Sequence, residues 1–170
     1  DMARWQPTYE APASVTYHGW EVFKIGPWGQ GPVFLQTLKI LEGIDIAGMG
    51  PDSGAFVHHV AEAMKLAFAD REAYYGDPDF VKVPLATLLS EDYARGRRNL
   101  ITDTASQELR PGMIAGFEAQ VAQALAGVRY AGQAGKGDAT VGEPTTAAMV
   151  AAGRRGDTVH IDVIDKWGNM

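Results

Sequence analysis

The chain has 170 residues, 46% of them hydrophobic and 21% charged, with a net charge of −6 and a pI near 5.1. That length suits one domain able to bury a core, and the acidic balance leaves no basic footprint for nucleic acid or an anionic membrane. With no cysteine there can be no disulfide, thiolate metal site or Cys nucleophile, which leaves the compartment open.

The chain opens on "DMARWQPTYEAP", polar and aromatic, in which no signal peptide is visible and position 1 is not a methionine. Residues 1 to 14 read as irregular entry. "SVTYHGWEVFKIGP" places β-branched and aromatic residues around His18-Gly19 and predicts a short hairpin. "GPWGQGP", Gly26 to Pro32, is a loop stiffened by glycine and proline; it lacks the Gly-Lys-Ser/Thr of a phosphate loop, and its prolines remove amides a phosphate cradle needs.

Helix signals follow. Pro32 fits a first turn, Val33, Leu35, Leu38, Ile40 and Leu41 supply an apolar face, and Gly43 closes the helix. A second helix is capped by Asp52 or Ser53, shows Phe56, Val60, Met64, Ala67 and Phe68 as its apolar face, and stops near Tyr75 before Gly76-Asp77-Pro78. "SEDYARGRRNLI" predicts a shorter helix capped by Ser90, with Arg95, Arg97 and Arg98 placed late, where the dipole favours cations. "GMIAGFEAQVAQALAG" predicts another. Residues 127–157, rich in Gly, Ala and Thr, read as a flexible linker. Val159, Ile161 and Val163 then alternate with Thr158, His160 and Asp162 as a strand, before a turn over 165–169 that leaves the hairpin unfinished. The segment is α+β and mostly helical, and it reads as an internal piece of a longer protein. No apolar run approaches the roughly 20 residues needed to span a bilayer.

Several residues invite a chemical reading. His58 and His59 are neighbours on a helix, about 100° apart, so they do not converge on one metal; one is expected to face the core and the other solvent. Asp77 and Asp79 fit an Asp-Pro turn better than a cation site. Thr158, His160 and Asp162 look like a triad along one strand face, but residues i and i+2 lie roughly 6.5–7 Å apart. Nucleophile and base need about 2.6–3.2 Å. The wet face of a strand is the plainer account. A threonine has another route: cleavage before Thr158 frees its own α-amine, whose pKa of about 7.7–8.0 suits a general base. A flexible linker ending at Asp157 and a strand beginning at Thr158 have that layout.

"TVHIDVIDKWGN" resembles the start of the small subunit in the gamma-glutamyltranspeptidase family, where a threonine heads a Thr-x-His…Asp-x-x-Gly-Asn strand and turn. "GWEVFKIGPWGQGPVFLQTLKILEGIDI" and "AEAMKLAFADREAYYGDPDFVKVPLATLLSEDYA" resemble that family's large subunit, in the family's order. The resemblance implies the αββα sandwich of the N-terminal-nucleophile hydrolases, made as one chain that cuts itself. Residues 1–126 would then be the mostly helical C-terminal part of the large subunit, 127–157 the processing linker, and 158–170 the first strand and turn of the small subunit. Thr158 is the implied nucleophile and Asp157-Thr158 the scissile bond, with His160 on the strand face near the nucleophile.

The implied substrate is a gamma-glutamyl or related amide, with an amino acid, peptide or water as acceptor. The implied assembly is a large/small subunit heterodimer, with no metal and no cofactor. The family's Pro-Pro-Ser-Ser-Gly-Gly stretch is replaced here by Pro27-Trp28-Gly29-Gln30-Gly31-Pro32, and Val159 stands where a second threonine is common. These departures point to a divergent branch and leave an acylase or other amide hydrolase as an alternative. The family's substrate arginine lies upstream of this segment and its oxyanion residues downstream, so the fragment alone is expected to be inactive. A non-catalytic helical interaction module is the alternative from another class.

Overall fold

The computed structural model describes residues 6–133 together with Arg4 and Trp167. Two compact units divide the chain, Asp1–Ala134 and Gly135–Met170. In the second, Trp167 alone is described, exposed and in a turn within the span where a turn is expected. The strand expected over 158–163 lies outside the described residues.

The first unit begins with β1 (Ala13–Tyr17) and β2 (Trp20–Lys24), an antiparallel pair in which Val15 faces Val22 and Tyr17 faces Trp20. His18 and Gly19 join them with φ of 45° and 85°, the left-handed pair of a type I′ turn, whose twist matches that of the strands. The left-handed conformation strains His18. Its backbone N–H is held by Glu42 at 3.1 Å, and its ring meets Tyr17 edge-on at 4.5 Å.

Helix α1 (Gly31–Leu41) starts with Pro32 in its first turn and buries Val33, Leu35, Gln36, Thr37, Ile40 and Leu41. Gly43 follows it for a reason beyond helix termination: a Cβ there would lie 2.2 Å from Cζ of Arg98. That guanidinium donates to the carbonyls of Ile40 (2.7 Å) and Lys39 (2.9 Å), filling acceptors the end of α1 leaves open.

A short α2 (Ile46–Met49) leads to α3 (Gly54–Tyr74), the longest helix described, capped by Ser53, whose Oγ accepts from the Phe56 amide at 3.0 Å. The start and stop of α3 agree with the sequence reading; its buried face does not. Of Phe56, Val60, Met64, Ala67 and Phe68, only Ala67 is buried, and Met64 is 43% exposed. The inward stripe is Glu62, Ala63, Leu66, Ala67, Ala69, Asp70, Ala73 and Tyr74. Two carboxylates in the stripe make it look polar, and partners from distant parts of the chain make their burial tolerable.

After α4 (Leu85–Leu88) comes α5 (Glu91–Arg98), capped by Ser90 as expected. Its arginines do more than serve their own helix dipole: Arg97 is buried against α3, Arg98 serves the end of α1, and Arg95 stays exposed beside Asp92. Helix α6 (Glu118–Gln133) begins later than expected. Residues 112–117 are irregular because Gly116 sits at φ 83° and the Gly112 amide is spent on Asp70. It also ends later, so residues 127–133, assigned to the linker on composition, are helical. Their Arg, Tyr, Ala and Gln are all compatible with a helix.

Two apolar clusters hold the helices together. Ile40 and Leu41 pack on Ala63, Leu66 and Ala94, joining α1, α3 and α5. Ala73, Tyr74 and Leu88 pack on Ile114, Phe117 and Val121, seating α6 against α3. Tyr74 and Phe117 meet edge-on at 5.9 Å.

Candidate functional site

Asp157, Thr158 and His160, the residues on which the sequence places the chemistry, lie outside the described residues. Asp162 lies outside them too; the His58-His59 pair, Asp77, Asp79 and the Gly26–Pro32 loop are described, and each has a plain structural role. His58 Nε2 lies 2.6 Å from the Thr102 carbonyl and His59 Nδ1 lies 2.8 Å from the Ala55 carbonyl, with the rings perpendicular at 5.3 Å. Both are half-buried, so the expected division into one core and one solvent histidine does not hold; each ring is turned to a backbone carbonyl.

Asp77 closes a turn, its Oδ1 accepting from the Asp79 amide at 2.9 Å. In the Gly26–Pro32 loop, the Gly29 amide bonds back to the Gly26 carbonyl at 3.2 Å. Trp28 Nε1 and the Gly26 amide both donate to Glu10 Oε1, at 2.7 and 3.3 Å. Among the described residues no group of three His, Asp or Glu is arranged to hold a metal ion, and no helix is long and apolar enough to cross a membrane.

The densest ionisable cluster was missed by sequence reasoning. Glu62 and Asp70 lie two helical turns apart on the buried stripe of α3, 2% and 0% exposed. Between α5 and α6 runs a strap, residues 99–117, and these two carboxylates fasten it. Glu62 Oε1 accepts from the Ser106 amide at 3.3 Å and from Lys65, while Oε2 takes Arg110 Nη2 at 2.7 Å. Asp70 Oδ1 accepts from the Gly112 amide at 2.6 Å. Its Oδ2 takes Gln36 Nε2 and lies 3.2 Å from Arg97 Nε, an ion-pair contact without hydrogen-bond alignment. Arg97 Nη2 in turn donates to the Leu66 carbonyl at 3.2 Å and to the Arg110 carbonyl. Tyr74 completes the fastening, its hydroxyl donating to the Gly112 carbonyl.

The two carboxylates are tuned in opposite directions. Burial raises the Asp70 pKa, and the opposing pull of Arg97, the Gly112 amide and Gln36 does not undo it. Burial also pushes Glu62 upward, but Lys65, the Ser106 amide and Arg110 together leave it below its ordinary value. Burial raises the Tyr93 hydroxyl, and the Asp70 charge adds to the effect. None of this makes a general base: Asp70 is sealed from any substrate, and Glu62 is held ionised by filled acceptors. The cluster is a clamp. The available signal was positional, since Glu62 and Asp70 fall on the stripe of Ala63, Leu66, Ala69 and Ala73.

A cleft of about 530 Å³ lies between the hairpin turn and the start of α3, lined by Tyr17, His18, residues 42–47 and Phe56. Its carboxylates are already engaged, Glu42 by Lys39 and the His18 amide and Asp45 by the Gly48 amide. The Lys39 hydrogen bond holds the Glu42 carboxyl below its ordinary range against the opposing effect of burial. The lining offers no serine, threonine or cysteine nucleophile.

Comparison with known proteins places these features. The family model described as gamma-glutamyltranspeptidase matches residues 1–170. A glutathione hydrolase proenzyme of Pseudomonas sp. (strain A14) is 39% identical over 117 residues, covering 66% of this chain and 20% of the relative. The crystal structure of Helicobacter pylori gamma-glutamyltranspeptidase superposes with a TM-score of 0.65 at 32% identity, over 69% of this chain and 35% of that one. A cephalosporin acylase from Bacillus halodurans gives a TM-score of 0.61 at 37% identity, over 66% of this chain and 20% of that one. The mostly helical α+β segment is thus one those structures share, while the chain spans only a fifth of the first relative's length.

Proposed function

The chain belongs to the gamma-glutamyltranspeptidase family, and from that premise we propose that it is part of an amide hydrolase and acyltransferase that cuts itself before Thr158. The observation that carries the reading is the family match over residues 1–170, which takes in the Asp157-Thr158 junction. In the precursor, Thr158 Oγ1 attacks the Asp157 carbonyl carbon. The Asp157–Thr158 C–N bond breaks, its nitrogen leaves protonated, and an ester links the two residues. Water hydrolyses that ester, giving a carboxylate on Asp157 and restoring the Thr158 hydroxyl beside a free α-amine.

That amine then serves as the base. It takes the proton of Oγ1 as the hydroxyl attacks a gamma-glutamyl amide and passes it to the departing amine. The acyl group on Thr158 goes next to water or to an amino acid or peptide. His160 stands on the same strand face in this reading, and the two products of the cut remain together as large and small subunits. Residues 1–170 alone, a fifth of the first relative's length, turn over no amide.

Intact mass of the full-length protein tests the reading. Two fragments are expected, the second beginning at Thr158, and Thr158→Ala abolishes the cut. A wild-type protein that stays whole overturns it and favours a non-catalytic helical module.

A second reading keeps the mechanism and changes the acyl group. It is favoured by the likeness to a cephalosporin acylase and by Trp28 and Val159 at positions where the family pattern has other residues. Release from a gamma-glutamyl anilide, compared with release from non-glutamyl amides, separates the two.

A further inference from the structure

We draw no further inference here: the strongest candidate, the half-exposed surface patch of Phe23, Ile25, Trp28 and Phe34 where β2 leads through the glycine-proline loop into α1, carries nothing because nothing in the structure shows what covers it.

Discussion

Replacing Arg97 by methionine removes the cation facing Asp70 while keeping most of the buried stem. Asp70 is then a carboxylate at 0% exposure that keeps the Gly112 amide and Gln36 but faces no cation. Breaking one partner out of a buried pair costs about 3–5 kcal/mol, and Arg97→Met also gives up the bonds to the Leu66 and Arg110 carbonyls. We expect about 4 kcal/mol at pH 7, a large part of a typical stability of roughly 5–15 kcal/mol.

Part of that loss depends on pH, with a definite sign. Asp70 already has a raised pKa, and the variant raises it further, so the folded state binds its proton more readily than the unfolded state does. Stability from this group is therefore present below its ordinary 3.8 and is lost as pH rises through the folded value. The deficit of Arg97→Met should shrink as pH falls from 7 toward the ordinary 3.8 of Asp70. Adding Asp70→Asn should recover about 2 kcal/mol at pH 7, since the neutral amide escapes the burial cost and its oxygen still accepts from Gly112. Asp70→Asn alone should cost less than Arg97→Met, because Arg97 keeps two carbonyl acceptors. Urea unfolding followed by helical ellipticity measures all four proteins. Deficits that stay equal from pH 7 down to pH 4, or strict additivity in the double variant, would refute the pairing argument.

Glu62 titrates the other way: its folded pKa lies below the ordinary 4.5, so its contribution is complete above pH 4.5 and is lost as pH falls below it. Glu62→Gln should flatten the acid limb of stability against pH, read as urea midpoints from pH 3 to 6. Gly112→Ala puts a Cβ 2.2 Å from the Tyr93 hydroxyl oxygen and should cost about 1–3 kcal/mol in thermal unfolding, partly relieved by Tyr93→Leu. At the hairpin, Gly19→Ala forces a side chain to φ 85° and should cost about 1 kcal/mol, whereas His18→Asn, better suited to the left-handed region, should raise the melting temperature slightly.

Features fixed by short-range chemistry could be read directly from the residues. The hairpin follows from His18-Gly19, the starts of α3 and α5 from Ser53 and Ser90, and the end of α3 from the Gly76-Asp77-Pro78 stop. What escaped depends on partners far along the chain. The buried face of α3 was misassigned because Glu62 and Asp70 count as polar until Arg110 and Arg97 are seen to meet them. The start of α6 escaped because an alanine-rich, helix-favouring stretch gives no sign that Gly112 is recruited by Asp70. Thr158 is a different case: the role proposed for it comes from a strand pattern and a family resemblance, and it rests on the processing experiment.

The stretch "AEAMKLAFADREAYYGDPDF", part of the sequence that resembles the family's large subunit, contains both Glu62 and Asp70. Within the described residues those positions bind the strap and the neighbouring helices. That stretch builds scaffold, whereas the chemistry we propose rests on a short run at the far end of the sequence. The two can fail independently. An uncut wild-type precursor would leave the clamp and its pH dependence standing, and a precursor that cuts itself despite Arg97→Met would show that processing tolerates a weakened scaffold. Measuring the cut and the urea midpoint on the same Arg97→Met precursor tells these apart. Loss of cleavage only at urea concentrations where the variant unfolds would assign the clamp to stability, and loss while the helices remain folded would tie it to the reaction.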